Sequence, residues 1–314
     1  MKPVSFHRLM HTSRVLRHEN PLGLPQKGSI PRFQRGLPQK RPIKGVSHII
    51  AVSSAKGGVG KSTIAANLSL AFARHGLRAG ILDTDIFGPS IPTLFDLTTD
   101  NEPRLTAANQ LVPLTNYGVR TMSLGYLSPD ESAPVVWRGP MLLKAIQQLL
   151  HDVDWTGGSG SGPGSGSDGG LDVLVLDLPP GTGDIQLSIA QQVPVDGAVV
   201  VTTPHVLAVK DAVKGVGMFG KVGVPVLGLV RNMGLFCCPC CGQETAVFGG
   251  GDKVERMCRE HGIELLGDVP LHPNIGEDGS RGKPTVAAEP GSERAKVFMD
   301  VARKLAAKIG LEVS

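Results

Sequence analysis

Two short stretches hold the residue types that do chemistry. GLFCCPCCGQ, residues 234–243, contains four of the five cysteines of the chain, and thiolates are the ligands of zinc sites and of iron–sulfur clusters. Two CxxC pairs overlap in it, Cys237 with Cys240 and Cys238 with Cys241. A closed tetrahedral thiolate site needs four well-spread ligands, so the run looks like half a metal site, and spacing alone does not choose between the pairs. Redox disulfide chemistry is a third use of a CxxC, although the thioredoxin-type setting at a helix start is absent. The fifth cysteine, Cys258, stands alone in a helical stretch and reads as a small buried residue.

The second stretch, SAKGGVGKST at residues 54–63, ends as phosphate-binding loops do, in GK[ST], with Ala55 where the general pattern has its first glycine. Gly57, Gly58 and Gly60 let backbone N–H groups approach phosphates, with Val59 between them, and the helix that follows turns its positive end toward the anion. Lys61 is placed to reach the β- and γ-phosphates, Ser62 to ligate Mg²⁺, and Thr63 to contact the α-phosphate. Asp83 and Asp85, in ILDTDIFGPS, stand two residues apart at the end of the next strand, which in an extended chain puts both carboxylates on one side. Asp177 closes another strand in VLVLDLPPGTGD, the pattern of an acid that holds Mg²⁺ ahead of a γ-phosphate-sensing loop. Capping of a helix is the alternative use of Asp83 or Asp177.

These residues need elements to hold them. HIIAVSS is a β-branched run that predicts a buried strand, and Ile64, Ala65, Leu68, Ala71 and Phe72 recur at helical spacing from Lys61 to His75, with Gly76 as a stop. Further strands are expected at 79–83, 119–124, 171–177, 197–203 and 224–230, with a helix over 141–150. From Glu293 a last helix places Val297, Phe298, Val301, Leu305 and Ile309 on one stripe. Near-continuous aliphatic strands alternating with helices predict an α/β fold with a doubly wound, mostly parallel sheet. Residues 157–170 are eight Gly, four Ser, one Pro and one Asp, a composition that cannot order itself and reads as a flexible loop inside the domain.

Composition bounds the function classes. The chain has 314 residues, 41% hydrophobic and 19% charged, ordinary globular material with no apolar run near the roughly 18 to 20 residues of a membrane span. Five cysteines without even spacing argue for a reducing compartment. Residues 1–48 carry ten Lys and Arg against one acid, Glu19, for +9; the total of +4 leaves −5 for the remainder. A basic, hydroxylated, nearly acid-free start, with Phe6, Leu9, Met10 and Leu16 roughly along one helical face, reads as a mitochondrial presequence, with a disordered basic arm as the alternative. Residues 1–46 are thus expected to be presequence and linker, and 47–314 the folded domain.

The chain resembles the deviant P-loop ATPases that include MinD and ParA and, within them, the Mrp-like nucleotide-binding iron–sulfur carriers. The likeness rests on KGGVGKST (56–63), DTDIFGPSIP (83–92), WRGPM (137–141), DLPPGTGD (177–184), RNMGLF with CCPCCG (231–242) and FGGGD (248–252). The motifs run in family order over about residues 47–310 and are highly specific as a set. The resemblance implies a P-loop NTPase fold, ATP and Mg²⁺ as cofactors with slow hydrolysis, and contact of the nucleotide with Ala55 to Thr63, Asp83, Asp177 and Asn232. It implies that Lys56 reaches the partner subunit's nucleotide in a homodimer, that Asp85 orients the attacking water with Asp83 as its helper, and that Asn232 contacts adenine. It places the family's cysteine pair at Cys238 and Cys241; doubled in a dimer, these make the four thiolates of a [4Fe–4S] cluster or of a zinc site. It assigns no role to Trp137 and Arg138, for which packing is the alternative.

The implied function is ATP-dependent carriage of a cluster to apo iron–sulfur proteins. The basic start points to the mitochondrial matrix and to the branch that serves assembly of respiratory complex I. A ParA- or MinD-like positioning ATPase and an ATPase with a structural zinc are the alternatives. Nucleic acid and membrane are not expected partners.

Overall fold

Alternation of aliphatic strands with amphipathic helices produces one layered α/β architecture in the computed structural model, which describes residues 40–86, 88–97, 102–127, 139–157, 169–238, 240–250 and 252–313. In chain order the elements are β1 (Val46–Ser53), α1 (Lys61–Arg74), β2 (Ala79–Asp83), α2 (Ile91–Leu94), β3 (Leu114–Asn116), β4 (Val119–Ser123), α3 (Gly139–His151), β5 (Leu171–Asp177), α4 (Asp184–Gln192), β6 (Gly197–Thr202) and α5 (Val206–Lys221). They continue with β7 (Val226–Cys237), β8 (Glu244–Thr245), α6 (Asp252–His261), β9 (Leu265–Leu271), α7 (Pro273–Ser280), α8 (Thr285–Ala288) and α9 (Glu293–Lys308).

Among the described residues the sheet runs β3-β4-β2-β5-β1-β6-β7-β8, with β9 on β7. Strands β4, β2, β5, β1, β6, β7 and β9 are parallel neighbours, and only β3 and β8 pair antiparallel. Parallel strands are covered on both faces, and β2 and β6 are buried at every residue. In β1, which sits between β5 and β6, Ile50 to Val52 pair with Val175 to Asp177 on one side and with Gly197 to Val199 on the other. This register brings the ends of β1, β2 and β5 together, the crevice where open α/β sheets bind ligands.

Helix α9 docks by the expected stripe, with Phe298, Val301 and Leu305 fully buried and Val297 and Ile309 at its margins. Cys258 is buried in α6. The chain departs from expectation at β7, which continues past residue 230 to Cys237, because residues 231–237 find partners in β9 and β8. Residues 1–39 of the expected presequence and linker, Trp137, Arg138 and most of the Gly/Ser loop lie outside the described residues, whereas residues 40–46 belong to the folded body: Ile43 is buried in the core, the Arg41 N–H donates to the Gln192 carbonyl at 2.7 Å, and β1 starts at Val46. No helix among the described residues is long and apolar enough to cross a membrane.

Candidate functional site

The crevice is built around the turn between β1 and α1. Gly58 and Gly60 take φ of +77° and +84°, left-handed values that glycine adopts without cost, and they fold the loop over the start of α1. That helix begins with no side-chain cap and no acid in its first turn, so its first N–H groups and positive dipole end remain available to an anion. A Cβ added at Gly57 or Gly58 would meet nothing within 4 Å, which makes the loop an open cradle. The cleft in front of it, about 490 Å³, is lined by Gly57, Gly58, Gly60, Lys61, Ser62 and Thr63, and by Asp85 across from them. Ala55, Lys56 and Val59 are not on its wall. Val59 is buried, and Lys56 adds to the pull of Lys214, whose hydrogen bond chiefly holds the Asp211 carboxyl of α5 below the usual range.

Behind the cradle lies a buried charge cluster. The Lys61 ammonium bonds Asp177 Oδ1 and donates to Ser62 Oγ at 3.1 Å; Lys61 is 6% exposed and Asp177 not at all. Asp177 Oδ2 is buried with no hydrogen-bond partner. An unpaired carboxylate oxygen beside a serine hydroxyl is the hard-oxygen donor set that suits Mg²⁺, so the residues present fit that ion. Asp83 stands next to this pair. Burial, and after it the charge of Asp177, push its carboxyl up to about 7, against the pull of Lys61 and of backbone N–H groups.

Asp83 is also a structural anchor. Its Oδ1 accepts from the Asp85 N–H at 2.9 Å, and its Oδ2 from the N–H groups of Ser90 and Ile91 and from Ser123 Oγ, at 3.1, 3.3 and 3.1 Å. It therefore anchors the backbone at Asp85 and at Ser90 and Ile91, where α2 starts. Asn232 lies beneath the phosphate loop, where its Nδ2 donates to the Val59 carbonyl at 2.8 Å and its Oδ1 accepts the Met233 N–H.

Sequence reasoning missed the opposite wall. Ile275, Gly276, Gly279 and Ser280 of α7 face the cleft, as do Ser54, Pro89, Ser90, Thr93, Leu94 and Pro180. The segment PNIGEDGS has two glycines in eight residues and no apolar stripe, so it gives little helical signal. His272, which caps it by accepting the Asn274 N–H at 3.1 Å, was the available clue.

The cysteine run follows from β7. Phe236 and Cys237 pair with Thr245 and Glu244 of β8, and the chain then turns tightly: the Gly242 N–H donates to the Cys238 carbonyl at 2.8 Å and the Cys238 N–H to the Gln243 carbonyl at 3.0 Å. Gly242 takes φ of +71°. Within this turn the Cys241 N–H, then that of Cys240, hydrogen-bonds the Cys238 sulfur, and together with their thiols they hold its thiol below the ordinary range. Donation to the anionic form is what favours a thiolate ligand. Cys237 instead directs its thiol to the Gly242 carbonyl at 3.5 Å. Cys237, Cys240 and Cys241 are exposed and Cys238 is half-buried.

The chain is similar to known proteins over most of its length. The family model described as ParA: NUBPL iron-transfer P-loop NTPase matches residues 45–306. Over 279 residues the chain is 47% identical to the iron-sulfur cluster transfer protein NUBPL of Mus musculus, covering 88% of this chain and 82% of the mouse protein. Over 268 residues it is 47% identical to the iron-sulfur cluster carrier protein of Escherichia coli K12, covering 85% and 68%. A nucleotide-binding protein of Archaeoglobus fulgidus, solved with ADP, superposes with a TM-score of 0.63 at 32% identity, over 81% of this chain and 93% of that one. The cell division ATPase MinD of Pyrococcus furiosus, at 21% identity and a TM-score of 0.57, shares the fold. With five-sixths of its length matched by one family model, the chain belongs to the ParA-type family of NUBPL iron-transfer P-loop NTPases.

Proposed function

We propose that this protein is an ATP-dependent carrier that holds a [4Fe–4S] cluster between two copies of itself and delivers it to apo iron–sulfur proteins of mitochondrial respiratory complex I. The observation that carries this reading is the tight turn at Cys238 to Gly242, closed by the Gly242 N–H on the Cys238 carbonyl at 2.8 Å and by the Cys238 N–H on the Gln243 carbonyl at 3.0 Å, which sets Cys238 and the exposed Cys241 together on one turn. That geometry supports Cys238 and Cys241 as the ligand pair. Among the described residues no three or more His, Cys, Asp or Glu side chains are grouped to hold a metal ion, so a four-thiolate set on this turn draws its other half from a second copy.

ATP enters the cradle with its phosphates on the N–H groups of the loop and of α1. Lys61, which bonds Asp177, exchanges that partner for phosphate oxygens, and Asp85, on the cleft wall, orients a water. Lys56, off that wall, is the residue for the partner's nucleotide. Mg²⁺, held through Ser62 and Asp177 when bound, neutralises phosphate charge. Nucleotide state then biases how the two copies close over the cargo. A positioning ATPase would leave the thiol turn without a use.

Anaerobic reconstitution with iron and sulfide, read by absorption and Mössbauer spectra, tests the carrier. The wild type takes up about four iron per two chains, and Cys238→Ala and Cys241→Ala take up none. A colourless protein retaining stoichiometric zinc overturns the reading. For the compartment, residues 1–48 fused to a reporter are imported by isolated mitochondria; failure to import removes the matrix assignment.

A further inference from the structure

The phosphate loop and the thiol turn are joined by one strand. Asn232 of β7 ties the Val59 carbonyl to the strand through its own carboxamide, 2.8 Å on one side and 3.0 Å to the Met233 N–H on the other. Met233 then takes φ of +57°, left-handed backbone that is strained for a residue with a side chain. Such strain persists only where the surroundings impose it. Here the surroundings are the loop itself, since a Cβ on Gly60 would lie 2.2 Å from Asn232 Nδ2 and 3.9 Å from Met233 Cε.

Beyond the kink the chain is pinned again. A Cβ on Gly234 would come within 2.0 Å of Asp268 Oδ1, so the backbone rests on that carboxylate, which Arg231 grips from Nε at 2.8 Å. Phe236 and Cys237 are locked to β8, and Cys238 follows directly. From Val59 to Cys238 the path is one hydrogen bond and a short run of held strand, without a linker.

We propose that Asn232 and Met233 are positioning residues that couple the phosphate loop to the Cys238–Cys241 turn, so that phosphates filling the loop shift Val59 and thereby change how the two thiols are presented. This rests on the nucleotide and cluster reading above. Linkage makes the coupling reciprocal: the factor by which nucleotide changes metal affinity at the turn is the factor by which metal at the turn changes nucleotide affinity.

The test uses the full chain, metal-free and anaerobic, pulsed with iodoacetamide with and without saturating MgATP. Alkylation is read at Cys238 and Cys241 by mass spectrometry, with buried Cys258 as reference, and nucleotide binding is measured separately by equilibrium dialysis. In the wild type, MgATP changes the rate at Cys238 and Cys241 about fivefold or more, the lower end of ordinary allosteric coupling. In Met233→Gly, which relieves the left-handed strain, and in Gly234→Ala, which lifts the strand off Asp268, dialysis shows near wild-type binding while the response falls below about twofold. Should Gly234→Ala fail to fold, Met233→Gly carries the test alone. A wild type that binds MgATP yet shows no change at the thiols, or a Met233→Gly variant that keeps the full response, overturns the coupling. A wild type that binds no nucleotide in dialysis sinks the functional reading, and this inference with it.

Discussion

Lys61 and Asp177 are almost wholly out of solvent, whereas Cys237, Cys240 and Cys241, a few residues beyond Asn232 on β7, are exposed. The loop around Lys61 is braced from three directions: Asn232 holds Val59, the Gly181 N–H holds the Ser54 carbonyl at 2.8 Å, and the Thr84 N–H and hydroxyl both hold the Asp177 carbonyl. The thiol turn has a two-residue antiparallel pair and its own turn hydrogen bonds. A site braced in advance binds without first ordering itself. A site that must surrender its cargo to another protein needs its ligands at the surface, and gives up bracing to have them there.

Removing the buried lysine is the hardest blow to the braced half. Lys61→Ala leaves Asp177 beside Asp83 with no cation between them, so urea denaturation should show a loss of about 3–5 kcal/mol, together with loss of nucleotide binding. Cys238→Ala and Cys241→Ala, at the exposed half, should shift stability by no more than about 0.5 kcal/mol while abolishing the cluster. Equal destabilisation by the two kinds of variant would break the contrast.

Next in size is Gly60→Ala. A left-handed backbone at φ +84° costs alanine at least about 1–2 kcal/mol, and its methyl group meets Asn232 Nδ2. Weaker nucleotide binding accompanies the loss in denaturation. The same substitution at Gly57, with open space beside it and no left-handed φ, should cost little stability.

The charge cluster predicts a pH signature confined to the cleft. Asp83 titrates at about 7 in the folded protein against 3.8 for the unfolded carboxyl, so the folded state holds an extra proton between those values. Its contribution to stability is therefore fully present below about pH 4 and lost as pH rises through about 7. Between pH 5 and pH 8 the nucleotide-free wild type should lose more stability than Asp83→Asn, by on the order of 1 kcal/mol or more. Parallel slopes for the two proteins would show that Asp83 ionises without penalty.

How much of this was legible in the sequence follows the same division. The braced half was readable because its residues obey strong local rules: a β-branched run, a glycine loop, and a helix whose aliphatic face from Ile64 to Phe72 is buried as its spacing predicts. Where local signals conflict, the sequence pattern gives out. Helix α5 was not anticipated, since Gly215, Gly217 and Gly220 lower its helical propensity and packing against its neighbours overrides them. Strand β9 carries Gly267 and Pro270, and α7 two glycines, so the far wall of the cleft was invisible until the fold placed it. The extension of β7 was hidden for a related reason: RNMGLFC has no alternation, its partner β8 is only two residues long, and its pairing with β9 is set by residues about 35 positions along the chain.

The smallest expected effect sharpens the exposed half. Cys237 lies in the β7–β8 ladder, and its thiol makes one weak hydrogen bond, to the Gly242 carbonyl at 3.5 Å, whereas its neighbours Cys241 and Cys240 hold the Cys238 thiol below the ordinary range. Cys237→Ala removes an exposed thiol without touching the ladder hydrogen bonds, so denaturation midpoints should agree within about 0.5 kcal/mol. Iron and sulfide contents after reconstitution should equal those of the wild type. A cluster lost in Cys237→Ala but kept in Cys238→Ala would move the ligand set one residue back along the strand, onto the overlapping pair, and would mean that β8 pairing rather than the turn holds the thiolates.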